Sequence, residues 1–242
     1  VGRGVSPFEL NYHNYDPETA RAVYGEALEV LIEGMTNDKL SYVGKHFNYT
    51  DVPIELRPLQ DPHPPLWYPS SNPDGSKYAG ENGFHYCTLG GVEMAKANIA
   101  AYREAYEKRG STVGAQRPFP GGAAIGISRQ VTVAETDAEA LKIAGPAYKV
   151  WHDSLTKLWR DNNVEGPSFA RNTVNTVEKA IAGGTHIAGS PETVRQQLAE
   201  QIDALGVNYL VMAFNIGDMA HEDALRSITL FGEEVMPKLA DL

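Results

Sequence analysis

The sequence predicts an α/β fold, in which parallel β-strands alternate with α-helices. Three short apolar runs, at 65–69, 84–89 and 123–133, are each followed by a helical pattern, and a fourth, at 207–214, precedes the closing helix. Strand–helix alternation of this kind is typical of βαβ units, whose helices cover a parallel sheet. Two architectures fit this pattern, an open doubly wound sheet and a (β/α)8 barrel.

The chain is long enough for a whole (β/α)8 barrel, but it has too few predicted strands for one. The chain has 242 residues and a whole barrel takes about 250, yet only four strand–helix units are convincing. The remaining residues fall mainly in two segments, 41–59 and 145–185. Pro53 and Pro58 make the first an extended edge excursion, and we interpret the second as a long insertion between a strand and its helix. A barrel made from this chain alone would be about half closed.

Helices are predicted from apolar spacing and from the residue types that begin and end helices. The first runs from Pro17 to Gly34, where glycine is suited to end it. A long, mostly helical region begins after Thr136, another helix begins at Ser190, and the closing helix stops at Pro237. Two apolar faces are predicted: one on the helix that follows the run at 84–89, formed by Ala95, Ile99, Tyr102 and Tyr106, and one on the closing helix, formed by Leu225, Ile228, Phe231 and Val235.

Composition argues against several classes of function. The chain has 21 basic and 31 acidic side chains, a net charge of −10, which argues against nucleic acid or an anionic membrane as the main partner. Cys87 is the only cysteine, so no intrachain disulfide or thiolate metal cluster is expected. No histidine pair has the HExxH spacing of a zinc site, and GxSxG, Walker and GxGxxG motifs are absent from the sequence.

The strongest local signal is the turn at 70–76, Ser-Ser-Asn-Pro-Asp-Gly-Ser. Pro73 suits the first position of a helix, which makes Asn72 the N-cap residue. The backbone N–H groups at such a helix start point towards the end of the preceding strand, where phosphate binds well. Ser71 and Ser76 add hydroxyl donors. An ordinary strand–helix turn without a ligand explains the same residues, so both interpretations stay open.

Two arginines are further candidates for an anion site. Arg3 stands between Gly2 and Gly4, which allow the backbone to turn sharply, and its guanidinium group is a planar, forked donor. Arg21 lies on the first predicted helix, where it could contact a phosphate or a neighbouring carboxylate such as that of Glu18. Taken singly, Arg3 is also explained as a loop residue in water, and Arg21 is better explained as a surface residue.

Aromatic residues gather in the segment that we interpret as an insertion. Trp151, His152 and Trp159 either form the core of that segment or line an apolar substrate pocket. Phe214 closes the last predicted strand, at the end where barrel enzymes place their active sites. These four residues are the candidates for a substrate pocket.

Five segments, taken in order, resemble the luciferase-like flavin monooxygenases. They are the opening Gly-Arg-Gly-Val-Ser-Pro, the helix at 21–31, the approach to a strand at 57–67, the Gly-Ser-Pro-Glu-Thr segment at 189–193, and the ending at 225–237. In that family the first strands precede the Gly-Arg-Gly segment. The chain therefore resembles a (β/α)8 TIM barrel of the luciferase-like type without its N-terminal third. Residues 1–242 would form a single domain of this type, with an insertion at about 145–185.

The resemblance also implies a cofactor site. The phosphate of FMN would be held by Arg3, by Arg21, and by the turn that follows the fifth barrel strand. In that turn the implied contacts are with Ser71, Asn72, Gly75 and Ser76. Luciferases carry an acidic residue and a serine at the positions of Ser71 and Asn72. The resemblance therefore implies phosphate contacts from the backbone N–H groups of the turn more directly than from these two side chains. The family's active-site histidines have no counterpart in this chain, and no catalytic residue is implied.

The function implied by the resemblance is that of a monooxygenase, which uses reduced FMN and molecular oxygen to oxidise a small organic substrate, an apolar carbonyl compound or a hydrocarbon. The cofactor does the redox chemistry, and the protein anchors, orients and shields it. Two alternatives stay open: a deazaflavin-dependent oxidoreductase that transfers hydride, and a non-catalytic flavin-binding or assembly subunit. We expect a cytoplasmic homodimer served by a flavin reductase, with no metal, nucleic acid or membrane as partner.

Overall fold

The computed structural model describes most of the chain, namely residues 1–2, 4, 6–110, 122–166 and 173–240. The chain divides into two compact units, Val1–Trp67 and Tyr68–Leu242. Arg3, one of the predicted phosphate ligands, lies outside the described residues. That the chain as a whole forms one barrel domain with an insertion stays a prediction.

The first unit contains two helices and an antiparallel hairpin. Its elements are α1 (Pro7–Tyr12), α2 (Pro17–Thr36), β1 (Lys39–Val43) and β2 (Asn48–Pro53). Part of the stretch predicted as extended, 41–59, is therefore this hairpin. The predicted end of α2 at Gly34 was wrong, because the helix continues to Thr36. Asn37 ends it, since its backbone N–H and its side-chain amide both donate to the carbonyl oxygen of Glu33.

A carboxylate of α2 holds the turn of the hairpin. Glu26 accepts the backbone N–H groups of Lys45 at 2.9 Å, His46 at 2.7 Å and Phe47 at 3.2 Å. Burial raises the pKa of this carboxyl group, but the three N–H donors together outweigh burial and the pKa is lowered. A Cβ at Gly44 would lie 2.4 Å from Oε2 of Glu26, so a larger residue there would displace the carboxylate from the turn.

The second unit is built on a sheet of five strands. They are β3 (Trp67–Pro69), β4 (His85–Thr88), β5 (Ile125–Val133), β6 (His186–Gly189) and β7 (Tyr209–Ala213). Strand β5 pairs in parallel with three others: with β4 along its first residues, with β7 along its middle and with β6 along its last residues. The predicted α/β class with a parallel sheet is confirmed.

Helices follow the strands as the sequence predicts. They are α3 (Pro73–Glu81), α4 (Val92–Glu107), α5 (Asp137–Asp161), α6 (Val177–Ala182), α7 (Pro191–Leu205), α8 (His221–Leu230) and α9 (Met236–Ala240). The predicted starts at Thr136 and Ser190 are confirmed, because each side-chain oxygen accepts the N–H group of the residue three positions ahead. No helix in the described part of the chain is long and apolar enough to cross a bilayer.

The predicted end of the closing helix was wrong. The chain does not leave the helical conformation at Pro237 but passes from α8 through a π-helical segment, Phe231–Val235, into α9, which contains the proline. In a regular α-helix the ring of Pro237 would meet the carbonyl group of Glu233. The wider π-helical turn just before the proline relieves this clash, so the helix continues.

The predicted apolar face of the closing helix was only partly right. Leu225 and Ile228 are exposed, by 50% and 47% of their surface, whereas Ala224 and Ser227 are buried. Ser227 faces the sheet because its hydroxyl oxygen accepts the backbone N–H of Val133 at 2.8 Å. A polar contact to the edge of β5 therefore fixes the rotation of this helix, and apolar spacing alone did not reveal it.

The core of the second unit lies between the sheet and its helices. Both faces of β5 are largely buried, as expected for a strand inside a parallel sheet covered by helices. One apolar cluster joins β5 and β6 to α7 and the closing helix through Val131, Val133, Ile187, Val194, Leu198 and Val235. A second joins α5 and α6 to the end of β6 through Ala140, Ala144, Ala147, Tyr148, Val177, Ala180 and Ala188.

The contact between α3 and α4 gives a test of the packing. A Cβ at Gly80 would lie 2.5 Å from the carbonyl oxygen of Tyr102 and 2.8 Å from Cβ of Ala105. We expect Gly80→Ala to lower the free energy of unfolding by about 1–3 kcal/mol, because the helices must move apart. Urea denaturation measures this loss.

Gly25→Ala is the matched control, since nothing lies within 4 Å of the added Cβ in the middle of α2. This change should raise stability by up to about 1 kcal/mol through helix propensity. A Gly80→Ala protein as stable as Gly25→Ala would contradict the close packing of α3 on α4.

Candidate functional site

The turn at 70–76 begins α3, as the sequence predicts. Oδ1 of Asn72 accepts the N–H group of Gly75 at 2.9 Å, which confirms Asn72 as the N-cap residue. A Cβ at Gly75 would lie 2.3 Å from Oγ of Ser70, so the turn needs glycine there. Oγ of Ser76 is buried and lies 2.8 Å from both the carbonyl oxygen of Asn72 and the hydroxyl of Tyr86. The hydroxyl of Ser76 is thus used inside the protein.

Tyr86 of β4 supports this turn from inside the core. Its hydroxyl donates to the carbonyl oxygen of Ser70 at 2.9 Å, and its ring stacks on that of Tyr102 with centroids 5.0 Å apart. Burial raises the pKa of Tyr86 to about 12, so the phenol keeps its proton. These contacts hold the turn from inside the core, and Ser71 is the serine of the turn that lines a pocket.

Ser71 lines a pocket of about 400 Å³, a volume typical of sites for small molecules. Strand ends and the residues after them form much of its wall, with Leu89 and Gly90 following β4, Gln130 on β5 and Ala213 ending β7. The carboxyl ends of parallel strands are where α/β enzymes bind their ligands. The pocket therefore lies where the sequence-based interpretation expects an active site.

Helix α5 supplies an aromatic wall of the pocket. Trp151 lines it, and so does Tyr148, whose ring centroid is 5.2 Å from that of Trp151. The hydroxyl of Tyr148 donates to the carbonyl oxygen of Val174 at 2.7 Å. Part of the segment interpreted as an insertion is thus a continuous helix that covers the pocket, and the structure brings Trp151 and Ser71 together.

The other three predicted pocket residues lie elsewhere in the described part of the chain. Nδ1 of His152 is 3.5 Å from a carboxylate oxygen of Asp153. Trp159, further along α5, lines a separate depression of about 380 Å³. Phe214 packs edge-to-face on Phe231 with ring centroids 5.1 Å apart. Substrate roles for these three residues stay predictions.

A buried chain of hydrogen bonds beside the pocket was missed by sequence reasoning. His186 of β6 is fully buried, with Nδ1 at 3.3 Å from Oε1 of Gln130 and Nε2 at 3.1 Å from Oγ1 of Thr132. Burial lowers the pKa of His186 to about 4, so its ring is neutral at neutral pH. The signal was present in β5 as polar residues at alternate positions, Ser128, Gln130 and Thr132.

On the opposite face of β5 a buried arginine braces the pocket wall. Arg129 donates through Nε to Gln201 at 2.7 Å and through Nη1 to the carbonyl oxygens of Gly90 at 3.1 Å and Ser128 at 2.8 Å. Burial lowers the pKa of Arg129 to about 10 and raises that of Cys87 to about 11. At neutral pH the guanidinium is charged and the thiol is protonated, which makes Cys87 a poor nucleophile.

Both arginines that are predicted to contact a phosphate belong to the first compact unit. Arg21 lies exposed on α2 in the first compact unit, and the turn at 70–76 belongs to the second. The anion site that would combine them with Ser71 stays a prediction. Among the described residues, no three His, Cys, Asp or Glu side chains are grouped so that they could hold a metal ion.

A family model of luciferase-like monooxygenases matches residues 1–209 of the chain. The chain is also 30% identical over 239 residues to y4wF of Sinorhizobium fredii, an uncharacterised protein, and this match covers 99% of the chain and 67% of y4wF. The chain therefore belongs to the luciferase-like monooxygenase family, a family of oxidoreductases. The resemblance seen in five sequence segments is confirmed.

Solved structures share the fold. Monooxygenase RslO1 from Streptomyces bottropensis superposes with a TM-score of 0.81 at 19% identity, over 98% of this chain and 67% of that one. The FMN complex of the oxygenating constituent of 3,6-diketocamphane monooxygenase from Pseudomonas putida gives 0.73 at 21%, over 98% and 69%. An F420-dependent secondary alcohol dehydrogenase gives 0.69 at 17%, over 98% and 68%. The expected luciferase-like TIM-barrel class is thereby confirmed.

The support of the turn at 70–76 by Tyr86 can be tested by removing one oxygen atom. We expect Tyr86→Phe to lower the free energy of unfolding by about 1–3 kcal/mol, because the carbonyl of Ser70 loses a buried donor. Tyr106→Phe on α4, where the tyrosine is half-buried, is the control and should change stability by less than about 0.5 kcal/mol. Equal stability of the two variants in urea denaturation would rule out this role for Tyr86.

The buried ring of His186 predicts how the free energy of unfolding depends on pH. Its pKa is about 4 in the folded protein against an ordinary 6.5, so the unfolded chain takes up a proton first as the pH falls below 6.5. The free energy of unfolding should therefore decrease between pH 7 and pH 4, by up to about 3 kcal/mol. His186→Phe should remove this part of the acid loss, whereas His221→Gln, at an exposed histidine, should keep it. An unchanged pH profile in His186→Phe would contradict the buried neutral ring.

Proposed function

We propose that the chain is a flavin-dependent monooxygenase, which uses reduced FMN and molecular oxygen to oxidise a small, apolar carbonyl compound or hydrocarbon. Family membership supports an oxidoreductase, and the FMN in the 3,6-diketocamphane monooxygenase complex supports the choice of cofactor. The structural observation that carries the proposal is a single pocket. It combines Ser71, at the start of α3, with an aromatic wall from α5.

The lining of this pocket fits a cofactor that has a flat apolar body and an anionic end. The apolar surface comes from Leu89, Met94, Tyr148 and Trp151. Ser71 stands just before a helix start, where backbone N–H groups favour an anion. Asp74 adds a negative charge in the first turn of α3, so a phosphate bound there needs added positive charge. Arg3 and Arg21 are proposed to supply it.

When bound, reduced FMN supplies the electrons for the reduction of oxygen. The chain itself binds the phosphate at the turn, orients the ring system between strand ends and α5, and excludes water with its aromatic wall. Burial raises the pKa of Tyr148 to about 12, so this phenol serves as packing and as a hydrogen-bond donor and not as a proton acceptor. The proposal also includes a flavin reductase as the source of reduced FMN, and a homodimer.

A second candidate function is hydride transfer with a reduced deazaflavin. The structure of the F420-dependent secondary alcohol dehydrogenase contains an F420–acetone adduct, and its fold matches this chain. The same pocket lining serves a deazaflavin ring as well as a flavin ring. Oxygen uptake with reduced FMN and a small ketone favours the first function, and anaerobic turnover of an alcohol with F420 favours the second. FMN binding without either turnover favours a non-catalytic subunit.

The phosphate site is tested by FMN titration followed by flavin fluorescence. We expect Arg3→Ala and Arg21→Ala each to weaken FMN binding by about 10-fold or more, because each removes a charge-assisted hydrogen bond. Lys142→Ala, on the exposed side of α5, changes the net charge equally and should leave the affinity within about twofold. If neither arginine variant differs from Lys142→Ala, the proposed phosphate anchor is wrong.

A further inference from the structure

We propose that Gln130 is a hydrogen-bond donor in the pocket for an uncharged carbonyl oxygen, and that Thr132 and His186 hold its amide in that orientation. The inference rests on the proposed function, in which the pocket takes a flavin and a small carbonyl substrate. Both of these carry carbonyl oxygens, so the acceptor belongs to one or the other, and the experiments below distinguish them.

The placement of the three residues follows from the geometry of the sheet. Ser128 and Gln130 both line the pocket, and Thr132 shares their face because side chains alternate along a strand. Gln130 pairs directly with His186 on β6, so the two side chains leave the sheet on the same side. The backbone N–H of Gln130 also donates to the carbonyl oxygen of Thr185 at 3.1 Å, which fixes the residue in position.

The direction of the hydrogen bonds follows from satisfying each buried group. Thr132 and His186 are both buried, and in the described part of the chain the hydroxyl of Thr132 has Nε2 of His186 as its partner, at 3.1 Å. When this hydroxyl donates to Nε2, the single proton of the neutral ring lies on Nδ1 and is donated to Oε1 of Gln130. The reverse direction would leave the hydroxyl proton of Thr132 without an acceptor, which is costly in a core.

The amide of Gln130 therefore has one end in use and one end available. Its Oε1 accepts from His186 at 3.3 Å, and Nε2, which has no partner among the described residues, remains for a ligand. An amide N–H2 group is an uncharged donor, and the side chains that orient it are uncharged as well. Such a donor matches a carbonyl oxygen, whereas a buried anion would require a charged partner.

Two substitutions at position 130 separate a donor from an acceptor. Gln130→Met keeps the length of the side chain and removes the amide, and we expect it to weaken binding of the carbonyl ligand about 5- to 30-fold. Gln130→Glu offers only acceptor oxygens and should bind at least as weakly as Gln130→Met. Gln196→Met, the same kind of substitution at an exposed position of α7 outside the pocket, is the control and should bind like the wild type. A Gln130→Glu protein that binds as tightly as the wild type would overturn the proposal.

The two sources of the carbonyl are distinguished by two probes, FMN and 13C-carbonyl cyclohexanone. If the flavin accepts the bond, Gln130→Met weakens FMN binding and raises the carbonyl stretching frequency of bound FMN in the infrared spectrum. If the substrate accepts it, FMN binding is unchanged, while the ketone binds more weakly and its carbonyl 13C resonance moves towards the value in water-free solvent. If both probes behave as in the wild type, the proposal is overturned.

The roles of His186 and Thr132 as positioning residues require a double-mutant cycle. His186→Phe keeps a ring against Tyr148 but loses both nitrogen atoms, and we expect a three- to tenfold loss of affinity. Gln130→Met/His186→Phe should bind no more weakly than Gln130→Met, because the amide to be oriented is gone. Additive losses would mean that His186 acts only through stability. Thr132→Val, which is nearly isosteric, gives the same test if His186→Phe does not fold.

The proposed function and this inference fail in different ways. If the wild-type chain binds neither FMN nor F420, the proposed function is wrong, and the cyclohexanone resonance alone then decides the role of Gln130. If FMN binds and the Arg3 and Arg21 variants behave as expected, but every Gln130 variant equals the wild type with both probes, only the inference about Gln130 is wrong.

Discussion

The second unit depends on one strand that pairs with three others. Strand β5 pairs with β4 along its first residues, with β7 along its middle and with β6 along its last residues. Both faces of β5 are largely buried. A strand in this position has to satisfy its backbone through its neighbours and its side chains through the layers on either side. Part of the pocket wall, one of the two apolar clusters and the rotation of the closing helix depend on contacts with this strand.

Because side chains alternate along β5, its two faces make different contacts. Arg129 reaches away from the pocket and fixes the carbonyls of Gly90 and Ser128, while Gln130 faces the pocket and contacts His186. The charge of Arg129 thus lies on the face away from the pocket, and the uncharged side chains of Ser128 and Gln130 line the pocket. Because both sets of contacts belong to one strand, that strand positions both the carbonyl groups of the pocket wall and the side chains that line it.

Sequence reasoning succeeded where structure is local and failed where it is not. The starts of α3, α5 and α7 were predicted because a capping oxygen and the backbone N–H group that donates to it lie within a few residues of each other. The rotation of α8 was mispredicted because it depends on a bond from Ser227 to Val133, which is distant in sequence. Trp151 lines the pocket and Phe214, with the same aromatic character, packs on Phe231, and the substrate roles of both residues stay predictions.

By itself the sequence determined the α/β class, the order of strands and helices, the capped turn at 70–76 and the luciferase-like family, because each is encoded in neighbouring residues or in motifs that keep their order. Only the tertiary structure decided which side chains share a pocket and which bonds are buried. The pairing of Gln130 with His186 requires β5 and β6 to lie side by side, and their register depends on which faces of the two strands become buried in the assembled sheet.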